Sequence, residues 1–161
     1  MQIRHVMPSD LSQLIEIEKA GFSPAKAATA TAFKTRIATI SDTFLVATEH
    51  EQVIGFINGP VMQHLYLTDD LFTTTQPNPL AGGYQSVLGL AVAPSWRHHG
   101  VAQRLLTELA QIARHQQRQA VTLTCEQRLI PFYELAGFHN DGQSSSTHGD
   151  VIWYNMVQTL V

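Results

Sequence analysis

The run "SVLGLAVAP" (Ser86–Pro94) is apolar almost without interruption and stops at a proline. A strand of that composition needs cover on both faces, because alternation with polar residues would mark a face open to water. From about Gly100 to Gln116 the pattern changes to a helical period, with Ala102, Leu105, Leu106, Leu109, Ile112 and Ala113 on one face. The β-rich run "AVTLTC" (Ala120–Cys125) follows. Strand, helix and strand in this order form a crossover unit, which pairs its strands in parallel. The chain must therefore build a layered α/β fold around that unit.

The remaining segments fit such layers. "QIRHV" reads as a first strand, and "PSDLSQLIEIEKAGF" as a helix capped by Ser9 or Asp10. In that helix Leu11, Leu14, Ile15 and Ile17 or Glu18 carry the helical spacing. The loop "FSPAKAATATAF" leads to a second helix around Thr31 to Ile40. "TFLVATEHEQVIGFINGPVM" predicts a hairpin of Thr43–Thr48 and Val53–Met62, although its turn has no Asn-Gly or Asp-Gly pair. The polar stretch "YLTDDLFTTTQPNPLAGGY" is expected to be a mobile surface loop. "LIPFYELAGF" reads as a short helix with Gly137 as C-cap, and "SSSTHGD" as a turn before the last strand, "VIWYNMV". The order is β-α-α-β-β-β-α-β-α-β-β, which predicts an α/β (α+β) fold with a mixed central sheet of about seven strands and about four helices.

Composition narrows the function. The length of 161 residues suits one domain over 1–161, and 44% hydrophobic against 14% charged residues describes a folded chain. A net charge of -3 and a pI near 6.2 argue against nucleic acid as a partner. One cysteine, Cys125, excludes an internal disulfide and suits a reducing compartment. The start has no signal-peptide core and no apolar run reaches membrane-spanning length, so a cytoplasmic protein without a membrane partner is expected. Among 8 histidines there is no H-x-x-x-H and no paired cysteine, so no metal is expected.

An anionic ligand would need a local device, and "WRHHGVAQRLL" (Trp96–Leu106) supplies the parts for one. A helix start carries unpaired N–H groups and a partial positive charge. Gly100 lets backbone approach a bulky anion, and Arg97 adds a charged fork suited to phosphate. A surface arginine beside a helix-start glycine fits the local composition equally well. No G-x-x-x-x-G-K-S/T and no G-x-G-x-x-G after a strand occurs.

The segment R-x-x-G-x-A, Arg97 to Ala102, resembles the Q/R-x-x-G-x-G/A segment of the GNAT superfamily of acyl-CoA-dependent N-acetyltransferases. "FSPAKAATATAFKTRI", "LAVAPSWRHHGVAQRLL", "LTCEQRLIPFYELAGF" and "SSSTHGDVIWYNM" extend the likeness over almost the whole chain, and are most similar to the arylalkylamine (serotonin) N-acetyltransferase branch and its bacterial relatives. The resemblance implies acetyl-CoA as cosubstrate. Leu90, Ala91 and Val92 would offer backbone groups to the pantetheine arm. Arg97 and the stretch His98, His99, Gly100, Val101, Ala102 and Gln103 would hold the pyrophosphate. Tyr133 would sit beside the thioester sulfur.

The chemistry asks for such a group, since a thiolate leaves when an amine attacks the thioester. A phenol with a pKa of about 10 keeps its proton at neutral pH and can donate it. The attacking amine must also lose a proton. The branch places two histidines for this on its fourth strand; the matching positions here are Ser86 and Leu88. His148, Glu126 and a water chain are substitutes, and the base stays unassigned. Phe22 and Pro24 would wall an acceptor pocket with side chains around Met62 and Tyr66, and Glu126 would border it. Cys125 reads as a core residue, because direct transfer in a ternary complex needs no acyl-enzyme. The expected activity is acetyl transfer to a small-molecule amine acceptor. A protein or peptide amine, and a silent CoA-binding sensor, are the alternatives; a homodimer is left open.

Overall fold

A computed structural model describes residues 1–161. In chain order the elements are β1 (Gln2–His5), α1 (Leu11–Gly21), α2 (Ala30–Thr39), β2 (Phe44–Glu49), β3 (Gln52–Asn58), β4 (Val61–Met62), β5 (Tyr84–Val87) and β6 (Gly89–Val92), followed by α3 (Val101–His115), β7 (Ala120–Cys125), α4 (Ile130–Leu135), β8 (His139–Gln143) and β9 (Tyr154–Thr159). The crossover unit pairs as the sequence predicts: β5 runs parallel to β7, with α3 between them in the chain.

The expected mixed sheet of about seven strands is nine strands in two parts. The strands divide into a sheet ordered β1-β2-β3-β6 and another ordered β4-β5-β7-β9-β8. The apolar run Ser86–Pro94 crosses from one to the other, bending at Leu88. Its last parallel partnership is Val87 with Leu123; beyond the bend Gly89 pairs with Asn58 of β3, while Thr124 and Cys125 pair only with β9. The bend is fixed by backbone approach. The Leu88 N–H donates to Asn58 O at 2.8 Å, and Ser86 Oγ donates to Pro60 O at 2.5 Å. A Cβ on Gly59 would stand 2.1 Å from Ser86 O, so only glycine fits there.

The first sheet is covered on both faces. Leu45, Ala47, Ile54 and Ile57 pack with the α3 stripe Val101, Leu105, Leu106 and Leu109. Alternate residues Phe44, Val46 and Phe56 pack with Leu14 and Ile17 of α1 and Phe33 of α2. Phe33 and Phe56 meet edge to face at 5.5 Å. The start of α3 lies close on β3, since a Cβ on Gly55 would stand 3.1 Å from Val101 Cγ1. Val121, Leu123 and Met156 carry the core into the second sheet.

Local chemistry explains the departures from expectation. The Asp10 carboxylate takes the Met7 N–H at 2.8 Å and both arms of Arg4 at 2.9 Å, so a short 3-10 turn over Pro8–Asp10, not a side-chain cap, leads into α1. α2 is capped by Thr29, whose Oγ1 accepts the Ala32 N–H at 3.0 Å. The hairpin turns on His50 and Glu51, both left-handed at φ 50° and 66°, the geometry that Asn-Gly usually supplies. The second arm stops at Asn58, and Val61–Met62 join the other sheet. The last strand begins at Tyr154, leaving Val151–Trp153 outside it. The polar loop is pinned near its end, where Arg118 donates to Gly82 O at 2.9 Å and Pro79 O at 2.8 Å.

Because Gly59 holds β3 against Ser86, Gly59→Ala is expected to lower stability by about 2–3 kcal/mol. Urea unfolding of the two proteins measures this; equal midpoints would show that the close approach is dispensable.

Candidate active site

β6 is an edge strand, with β3 on one side and no strand on the other. It leads through a 3-10 turn at Pro94–Trp96 and Arg97 into two left-handed residues, His98 at φ 64° and Gly100 at φ 78°. The first helical bond of α3 is Arg104 N–H to Gly100 O at 3.1 Å. The N–H groups of Val101, Ala102 and Gln103 therefore have no acceptor in the chain, and no side chain caps them. Nothing stands within 4 Å of where a Gly100 Cβ would be, so the backbone is open to solvent on that side of the helix mouth. His98 and His99 are exposed beside it, and the His99 Nδ1 lies 2.7 Å from Arg97 O. Arg97 braces the loop: Nε donates to Val92 O and Nη2 to Ala20 O, both at 3.3 Å. The sequence-predicted stretch Leu90 to Gln103 is thus one continuous edge and helix mouth.

Where β6 and β7 part, a cavity of about 110 Å3 opens. Its walls include Leu88 and Leu90 from the bend and Thr124, Cys125 and Glu126 from the end of β7. Tyr133 of α4 enters it, 8% exposed, packed edge to face against Phe132 at 5.0 Å and Phe138 at 5.7 Å. No protein group hydrogen-bonds its hydroxyl. Burial, and secondly the neighbouring Cys125, push the phenol well above its ordinary pKa, so it holds its proton throughout the neutral range. Burial likewise raises the Cys125 thiol to about 11.

Ser86 is fully buried with its hydroxyl given to Pro60 O, and Leu88 is apolar, so neither offers the cavity a base. Glu126 lines the cavity but faces two cations, Lys26 Nζ at 3.3 Å and Arg128 Nη2 at 3.7 Å. Phe22 is part of its lining, whereas Pro24 is exposed and outside it. Met62 is buried elsewhere, and Tyr66 donates to Asp141 at 2.7 Å. The aromatic wall is made instead by Phe72, His148 and Trp153. Phe72 and His148 stack at 4.4 Å with planes 5° apart, and Trp153 Nε1 donates to His148 O at 2.7 Å. Asp69 latches the two loops by accepting from Ser146 Oγ and from the Thr147 N–H. Sequence reading missed Phe72 and Trp153 because each sits in irregular chain and they converge only in three dimensions.

A larger depression of about 680 Å3 lies among residues such as Arg4, Asp10 and Glu49, and shares no residue with this cavity. Within it Arg4 is paired with Asp10 and Glu49 with the N-terminal amine. No group of three or more His, Cys, Asp or Glu side chains is arranged to hold a metal ion. No helix is long and apolar enough to cross a membrane.

A sequence model described as the acetyltransferase (GNAT) family matches residues 11–138. Among solved structures, the GphF GNAT-like decarboxylase in complex with isobutyryl-CoA is similar with a TM-score of 0.84 at 18% identity, over 100% of both chains. Ard1 from Thermoplasma volcanium matches at 0.77 and 19% identity, over 99% of this chain and 97% of that one. The ribosomal-protein-alanine N-acetyltransferase from Brucella melitensis matches at 0.70 and 19%, over 99% and 100%. Identities this low establish a shared fold. Together with the family match over most of the sequence, they make this chain a member of the GNAT acetyltransferase family.

Proposed function

We propose that this acetyltransferase moves acetyl from acetyl-CoA to the primary amine of a small molecule, by direct attack within a ternary complex. The observation that carries the reading is Tyr133, a buried residue that lines the cavity where β6 and β7 part and whose hydroxyl takes no hydrogen bond from the protein. A diphosphate fits the free amides of Val101, Ala102 and Gln103, which need acceptors and stand at a helix mouth open to solvent on the Gly100 side. His98, His99 and Gly100 border that mouth, and the loop is held in place by Arg97. The unpaired edge of β6, Leu90 to Val92, suits the amide groups of a pantetheine arm. Coenzyme A arranged this way brings its sulfur toward Tyr133, whose proton goes to the departing thiolate.

The acceptor side is small and aromatic. Phe22, Phe72, His148 and Trp153 surround a cavity that suits an apolar or arylalkyl arm better than a peptide, in keeping with the resemblance to the arylalkylamine branch. Glu126, with its two cations, borders the same space.

Thiol release from acetyl-CoA, followed over a panel of aryl amines, aliphatic amines and N-terminal peptides, tests the reading. Acceleration by small amines is expected. Acceleration by peptides alone would transfer the acceptor class to proteins, and binding of acetyl-CoA without release under any acceptor would make the chain a sensor. Tyr133→Phe should lower kcat roughly 10²-fold while calorimetry shows unchanged acetyl-CoA affinity; unaltered turnover would remove the tyrosine from the mechanism. With its thiol raised to about 11, Cys125 should carry no acetyl group in mass spectra taken after incubation with acetyl-CoA alone. An acetyl-cysteine adduct would replace direct attack by a two-step route.

A further inference from the structure

We infer that Glu18 takes the proton from the acceptor ammonium and is the general base of this site; the inference rests on the acetyl-transfer reading above. The apolar stripe of α1, Leu11, Leu14 and Ile15, continues by its own spacing onto a carboxylate at position 18. Glu18 is 5% exposed, in the last turn of the helix, and lines the same cavity as Tyr133. Its two oxygens are treated differently. Oε2 accepts the Ala28 N–H at 2.7 Å, which fixes the carboxylate in place. Oε1 is buried and has no partner at all. A buried acceptor in that condition costs stability unless a donor arrives, and a bound ammonium brings three.

The charges around the cavity leave that role to Glu18. From α2, Arg36 acts on it through space, while its own guanidinium donates to Asn58 Oδ1 at 3.3 Å. Lys26, from the loop after α1, and Arg128, beyond β7, are both drawn to Glu126. His148, ahead of β9, is stacked on Phe72, and Cys125 of β7 and Tyr133 of α4 keep their protons. Of the two carboxylates on the wall, Glu126 is ion-paired and Glu18 is not. Burial raises the Glu18 pKa, against the opposing pull of the Ala28 N–H and Arg36. That makes it a better proton acceptor than an exposed glutamate.

The step balances as follows. One ammonium proton passes to Glu18 Oε1, and the freed lone pair forms the N–C bond at the thioester carbonyl. The C–S bond breaks with its electron pair on sulfur, and the Tyr133 O–H protonates that sulfur. The acylated nitrogen, now acidic, returns its second proton to the phenolate. The proton on Glu18 leaves to solvent, so one proton is released per turnover.

Glu18→Gln keeps the shape and an acceptor for Ala28 but cannot take a proton. With the amine that works best for the unaltered enzyme, kcat/KM near neutral pH should fall roughly 10²-fold. The unaltered profile should lose activity as pH falls through the Glu18 midpoint. The variant should lose that inflection and climb tenfold per pH unit until the acceptor ammonium has lost its proton in solution. Acetyl-CoA affinity by calorimetry should not change. A loss uniform across pH, or a profile like the unaltered one, overturns the assignment while leaving acetyl transfer intact. An unaltered enzyme that binds acetyl-CoA yet serves no amine ends acetyl transfer and this role together. Should the variant not fold, a 13C titration of the Glu18 carboxyl in the unaltered protein decides: its midpoint must coincide with the acidic limb of kcat/KM, and a mismatch overturns the role.

Discussion

The parting of two sheets at Leu88 organises both the core and the site. A strand running continuously from Ser86 to Pro94 would pair with β7 along its length and leave no opening. Instead the parallel ladder ends at Val87 and Leu123, and the chain is turned onto β3 by the Leu88 N–H on Asn58 O and by the contact of Gly59 with Ser86. Backbone edges that would satisfy one another across an unbroken sheet now face a gap. A fold that leaves such an edge inside itself has room for a ligand with amide groups of its own. α4 places Tyr133 in the wall of this wedge, packed against Phe132 and Phe138.

The same economy governs charge. A chain with a net charge of -3 cannot attract a polyanion by its general field, so the attraction has to come from a few oriented dipoles. The left-handed residues His98 and Gly100 turn the backbone so that three successive amides at the start of α3 point the same way. Arg97, which the sequence suggested as a phosphate fork, donates to Val92 O and Ala20 O and holds the mouth against α1. The cation thus stiffens the loop that presents the amides and ties it to α1.

Much of this was legible in the residues. The α3 stripe, the parallel crossover and the open helix start depend on local spacing, and local spacing survives folding; Tyr133 was singled out only by the resemblance that "LTCEQRLIPFYELAGF" carries. The break at Leu88 was hidden because both halves of the run are equally apolar; its cause, the approach of Gly59 to Ser86, is long-range. The hairpin turn formed without Asn-Gly, because β2 and β3 are buried on both faces and their packing imposes the left-handed pair His50 and Glu51. The aromatic wall escaped notice for a similar reason. Phe72 stands in a polar loop, and Trp153 in a stretch that reads as strand; the Asp69 latch brings them together. Glu18 was half visible, a carboxylate standing where the stripe of α1 calls for an apolar residue.

Its position there resolves a tension in the chemistry. The proposed reaction needs a group that keeps a proton and another that accepts one; a phenol, at about 10, does the first in water, whereas a carboxylate, at about 4, is a weak base for the second. Burial acts on both in the same direction, because it disfavours whichever form is charged. For Tyr133 this means a phenol that holds its proton throughout the neutral range. For Glu18 it means a carboxylate whose hunger for a proton grows, checked by the Ala28 N–H and by Arg36 so that it still ionises. One dry wedge therefore prepares an acid and a base at once. The aromatic wall of Phe22, Phe72, His148 and Trp153 belongs to that preparation, since water admitted past it would weaken both effects together.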